Sequence, residues 1–153
     1  MTARHPLPSR LPRQWLFSDA RAKTGILDLA ALLPPGSGII FRHDHLTPGA
    51  RWHLFRRLMR TARARGLMLL LAGLPATAAR WGAGGVHLRQ RDARHAAQAH
   101  RLGLFLTMPV HDTYEALRAR GALANAVFIS PLHVTRSHPG APALGRAAWL
   151  RLA

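Results

Sequence analysis

The sequence predicts an α/β chain of the (β/α)8 barrel type with six βα units present, and three observations predict it. Six short apolar runs recur along the chain, the intervals between them carry helical patterns, and the runs are apolar throughout instead of alternating. Strands buried on both faces and separated by helices belong to a parallel sheet covered by helices. A doubly wound sheet shows the same alternation. However, no turn between strand and helix reads GxGxxG, and "GAGG" at 82–85 precedes a strand instead of following one. The barrel is favoured on that ground.

The strands are read at "QWLFS" (14–18), "GIIFR" (38–42), "LMLLLA" (67–72), "GVHL" (85–88), "LFLTM" (104–108) and "AVFIS" (126–130). Their starts lie 18 to 29 residues apart, room for a helix in each interval. Helices are expected at about 25–33, 48–65, 75–80, 92–101 and 112–120, with a last piece from 146. Thr47 before Pro48 makes an N-cap with proline at the first helical position, and Gly66 stands where a helix C-terminus favours glycine. Between them Leu54, Phe55, Leu58, Met59 and Ala62 form an apolar stripe, with Arg56, Arg57, Arg60 and Arg63 facing away. Asp112 with Glu115 three residues on predicts a capping box.

With 153 residues, 48% of them hydrophobic, the chain reads as a single domain, 1–153, able to bury a core, with 1–13 as a flexible N-terminal segment. Cysteine is absent, which excludes disulfides, thiolate metal sites and a cysteine nucleophile. The longest apolar run, "LMLLLAGL" at 67–74, is far short of the roughly 20 residues that cross a bilayer, and the N-terminus lacks a hydrophobic signal region. A cytoplasmic location without membrane attachment is therefore expected. A formal charge of +16 raises nucleic acid as a partner. Against it, 21 of the 22 basic residues are arginine spread over successive helices, and no base-stacking strand or helix-turn-helix pattern accompanies them. Anionic, phosphorylated small molecules are the favoured partners.

Chemistry in barrels sits where strands end and loops begin. Asp19, Asp44 and Asp92 lie just beyond strand ends, as do His43, His45, His111, His133 and His138. Asp92 suits either an N-cap or a metal ligand. "HDH" at 43–45 fits a metal only if extended, and a solvated loop is favoured. His111, just before a helix cap, suits an acid/base group or a cover for the helix end. The loop 131–145 mixes Pro131, Leu132, Val134 and Pro142 with Thr135, Arg136, Ser137 and His138, a group suited to donating hydrogen bonds to phosphate oxygens.

Two of these segments carry a family resemblance. "GVHLRQRD" (85–92) and "ISPLHVTRSHPGAPALG" (129–145) resemble the signatures of the thiamine phosphate synthase and thiazole tautomerase family, and "QWLFSDAR" and "GIIFRHDHL" are similar to its first two strands. The resemblance implies a (β/α)8 barrel of thiamine biosynthesis. Such an enzyme is a transferase that joins a pyrimidine diphosphate to a thiazole phosphate and releases pyrophosphate with Mg2+ bound. By resemblance Arg42 binds the pyrimidine diphosphate, Asp92 is one magnesium ligand, and Thr135 contacts substrate phosphate, with Arg136, Ser137 and His138 beside it.

The chain also departs from the family pattern. The Asn-Asp after strand 3, which supplies another magnesium ligand, reads Ala72-Gly73 here. The second-strand lysine falls on Asp44 and its glutamine on Ile40; the strand-5 serine falls on Pro109 and the strand-6 lysine on His138. Strands 7 and 8 have no counterpart, so the barrel is expected to be C-terminally incomplete. It would then carry two sheet edges, for which a homo-oligomer is one expected cover. The alternatives are a thiazole tautomerase with His111 as acid/base, because the family's tautomerases resemble this chain there, and a non-catalytic paralogue that binds a phosphorylated ligand.

Overall fold

Each strand pairs in parallel with the next in sequence, in the order β1-β2-β3-β4-β5-β6. The computed structural model describes residues 11–133 and 143–153. The elements are β1 (Trp15–Phe17), α1 (Ile26–Leu32), β2 (Gly38–Phe41), α2 (Pro48–Ala64), β3 (Met68–Ala72), α3 (Pro75–Arg80) and β4 (Gly85–His87). A 3-10 turn (Gln90–His95) then runs into α4 (Ala96–Arg101), followed by β5 (Phe105–Val110), α5 (Thr113–Gly121), β6 (Ala126–Ile129) and α6 (Gly145–Leu152). The expected fold is present as six parallel strands with alternating helices, curled into part of a barrel.

Local signals set most boundaries. Thr47 Oγ1 accepts from the Ala50 N–H at 3.4 Å with Pro48 behind it, and Gly66 leaves α2 at φ +62, a conformation that costs residues with a Cβ far more. Asp112 Oδ1 accepts from the Glu115 N–H at 2.8 Å and starts α5. The helix expected from Asp92 begins earlier, as the 3-10 turn, with Arg89 at its N-cap position and no side-chain cap. Asp92 therefore lies inside the turn, and the capping reading of Asp92 is corrected. β5 also runs on to Val110.

Alternation along the strands sorts side chains into two cores. Ile39, Phe41, Leu69, Leu71, Val86, Leu106 and Met108 face the helices, where Phe55, Leu58, Met59 and Ala62 of α2 meet them, as the stripe predicts. Ile40, Met68, Leu70 and Ala72 face inward and pack with Trp15, Phe17, Phe105 and Phe128. Glycines at two inward positions make room for that cluster: a Cβ on Gly38 would run into the Trp15 ring, and one on Gly85 into the Phe105 carbonyl.

The inner cluster also sets the curl. Phe128 on β6 meets Trp15 and Phe17 on β1 edge-on, with centroids 5.2 and 4.8 Å apart. The first and last strands do not pair with each other among the described residues, so their contact is through rings. Such T-shaped pairs add about 1 kcal/mol each beyond the area they bury. Part of the segment read as flexible, residues 1–10, lies outside the described residues. Beyond it Pro12 is buried and its carbonyl accepts from Trp15 Nε1 at 2.9 Å.

Candidate functional site

The C-terminal ends of β2, β3 and β4 open into a cleft of about 470 Å³ whose charged lining is Asp44, Arg51, Arg80, Arg89 and Asp92, with Gly73 at its back. Three guanidinium groups face two carboxylates there, so the lining is net cationic. Arg51 organises it. From the first turn of α2 its Nε donates to the Arg42 carbonyl at 2.8 Å and its Nη2 to the Ala72 carbonyl at 2.6 Å, which ties the end of β2 to the end of β3. Its guanidinium carbon lies 5.8 Å from the ring centroids of both Phe41 and Trp81. Burial lowers the Arg51 pKa, with Asp44 pulling it back up and Arg89 adding to the fall.

Asp44 sits between two cations. Its Oδ1 is 3.0 Å from Arg51 Nη2, and its Oδ2 accepts from Arg89 Nη2. Arg89 is half exposed and comes from the segment after β4, so this ion pair spans two βα units. Gln90, next to it, anchors the same segment. Its Nε2 donates to the Pro109 carbonyl at 2.5 Å and its Oε1 accepts from Arg118 Nη1 at 3.2 Å.

Beside the cleft, Ser18 at the end of β1 accepts from the Arg42 N–H at 2.7 Å and lies 2.9 Å from His43 Nδ1. Burial lowers the His43 pKa, and the charges of His45 and Arg51 lower it further, so the imidazole is held neutral. The Ser18 hydroxyl, an acceptor for the Arg42 N–H, thus also hydrogen-bonds to the imidazole at Nδ1. His43 is left-handed at φ +47 and stacks on Phe41 at 4.9 Å. Its ring lies 5.5 Å from that of His45, and no group of three His, Asp or Glu that could hold a metal occurs among the described residues. Asp19, the third rim carboxylate, pairs with Arg21 at 2.6 Å, and the hydrogen bonds from Arg21 hold its pKa well below the usual range.

The expected site residues divide as follows. Asp92 lines the cleft. Arg42 is at the end of β2, where its backbone is held by Ser18 and Arg51 and its charge reaches His87 and Asp19. His111 lies apart, between β5 and α5, where Glu115 Oε2 accepts from its N–H at 2.8 Å and pairs with its Nδ1 at 2.7 Å. In the expected capping box the carboxylate would reach the Asp112 N–H. Glu115 instead reaches one residue further and orients an imidazole. Thr135, Arg136, Ser137 and His138 lie outside the described residues.

Three cleft residues were missed, Arg51, Arg80 and Arg89. Arg51 stands four positions before Phe55, in line with the apolar stripe of α2, and an arginine in that row was the available signal. Arg89 had no local signal, since its partner is 45 positions away.

The donor set does not suit the Mg2+ that the resemblance implies. A divalent ion needs several oxygen ligands and a negative surround. Here both Asp44 oxygens are taken by arginines, Gly73 supplies no carboxylate, and Asp92 alone remains among guanidinium groups.

The comparisons agree with this geometry at the level of family and fold. The family model described as thiamine monophosphate synthase matches residues 20–152. No curated protein matches the chain. Among solved structures, thiamine phosphate pyrophosphorylase from Pyrococcus furiosus superposes with a TM-score of 0.77 at 18% identity, over 93% of this chain and 69% of its own. With a match that runs through nearly every element from the end of β1 to α6, this chain belongs to the thiamine monophosphate synthase family.

Proposed function

We propose that the protein transfers a pyrimidine from its diphosphate to the nitrogen of a thiazole phosphate, releasing pyrophosphate. The observation that carries this reading is the cationic cleft at the strand ends, lined by Arg51, Arg80 and Arg89 from three successive βα units. In the step, the bond between the pyrimidine's exocyclic carbon and the diphosphate oxygen breaks, its electron pair leaving with pyrophosphate. The thiazole nitrogen lone pair then forms the new C–N bond. The protein's part is electrostatic: fixed guanidinium groups favour the charge that develops on the departing diphosphate. Thr135, Arg136, Ser137 and His138 are the proposed contacts to phosphate on the loop after β6. Asp92 keeps the carboxylate of one of the family's magnesium positions. Pyrophosphate release from the two substrates by the purified, folded chain tests the reading, and no release sinks it.

A second reading is supported by the His111–Glu115 pair. A carboxylate that accepts from Nδ1 fixes the tautomer and orientation of the imidazole, which suits a proton-transfer group in a thiazole tautomerase. Proton exchange on the thiazole that survives His111→Ala unchanged would remove it. Ligand binding without either turnover would leave the non-catalytic paralogue.

A further inference from the structure

Gly73, where the resemblance places a metal-binding carboxylate, follows β3 directly with φ +156, and a Cβ on it would lie 3.9 Å from Arg51 Nη1. That nitrogen has no hydrogen-bond partner among the described residues, whereas Nε and Nη2 of the same guanidinium are held by the Arg42 and Ala72 carbonyls and by Asp44. The cation is thus fixed from behind by two carbonyls and flanked by two rings, with one edge left toward the cleft. Arg80 lines the same cleft and has no ion-pair partner among the described residues. Arg89 is different, because its partner Asp44 is 43% exposed and Arg89 itself 52% exposed. An ion pair that open to water is weak, and a more highly charged anion competes with the carboxylate for Arg89.

We infer that the cleft holds the diphosphate of its ligand without a divalent metal, Arg51 standing as the fixed cation beside Gly73 and Asp44 as an internal counter-ion that the ligand displaces from Arg89. A planar guanidinium suits this role, since it is always charged and pairs with phosphate oxygens through two parallel hydrogen bonds. The inference rests on the diphosphate ligand of the proposed function, but it concerns how that group is held and not whether coupling follows.

The test is calorimetric binding of inorganic pyrophosphate to the full chain, in excess EDTA and again with Mg2+. The expected result is binding in EDTA that Mg2+ leaves unchanged or weakens by complexing the probe. Arg51→Met should abolish it, but that variant also cuts the tether between β2 and β3. Arg89→Gln, at an exposed position, is the safer variant, and it should bind about tenfold more weakly with an unchanged Tm. Asp44→Asn should bind pyrophosphate about tenfold more tightly, because the competing carboxylate is gone. Binding that appears only with Mg2+, no binding in either buffer, or an Asp44→Asn variant that binds no more tightly overturns the inference. The two readings separate cleanly. Metal-free pyrophosphate binding without coupling leaves the inference standing and the synthase reading fallen, whereas coupling that requires Mg2+ does the reverse.

Discussion

Phe17 on the first strand and Phe128 on the last meet edge-on, their ring centroids 4.8 Å apart and their planes at 87°. Strands at opposite ends of the sheet order are therefore joined through their inward side chains and not through backbone pairing. The ring of Phe128 also touches Trp15 and lies 5.8 Å from the His87 ring, which makes it the keystone of the inner cluster. Phe128→Ala should cost about 2–3 kcal/mol, the lower part of the range for large-to-small changes because the ring is only half buried. Urea unfolding checks it. A loss under about 0.5 kcal/mol would mean that the rings do not hold the curl.

His87 makes stability pH-dependent. Burial first, then the charges of Arg42 and Arg89, lower its pKa to about 4, and its Nδ1 lies 2.9 Å from Thr107 Oγ1 in the interior. Between pH 4 and 6.5 the unfolded chain binds the proton and the folded chain does not, so stability falls as pH drops through that window. A shift of that size corresponds to a loss on the order of 3 kcal/mol. The difference between wild type and His87→Gln, which does not titrate, should carry this slope when both are unfolded at several pH values. Parallel profiles would show that His87 is not the group responsible.

Gly66 ends α2 at φ +62, and a Cβ there would meet nothing within 4 Å. The cost of Gly66→Ala is therefore backbone conformation alone, about 1 kcal/mol, and Gly66→Asn should recover part of it. Thermal melts of the two variants would rank them. Alanine as stable as asparagine would contradict the left-handed cap.

Glu115 serves both the helix start and the imidazole. Glu115→Ala removes the acceptor for the His111 N–H and for Nδ1, and should cost about 1 kcal/mol. Nitrogen-resolved NMR of the His111 ring should show the Nδ1–H form in wild type and a mixture of tautomers in the variant. An unchanged tautomer would show that the carboxylate does not orient the ring.

Much of this molecule is written in short stretches of chain. Apolar runs, the Thr47-Pro48 cap, the Asp112 cap and the Gly66 stop each act over a few residues, so periodicity and capping locate the strands and helices. The family signatures are local too, and they singled out Arg42 and Asp92, which follow the C-terminal ends of β2 and β4. Asp92 misled on one point, because the 3-10 turn begins at Gln90, earlier than a capping aspartate at 92 requires.

By itself the sequence determined the order of elements, the strand-end location of the polar groups and the family, since all three depend on neighbours along the chain. Only the tertiary structure decided that Arg51 turns inward to sit beside Gly73, that Asp44 is shared with Arg89 from 45 positions away, and that Phe17 closes on Phe128. The physical reason is that these contacts exist only once parallel pairing and the inner cluster curl the sheet and bring distant strand ends together. Charge and ring geometry at that rim then follow from the fold and from no local pattern.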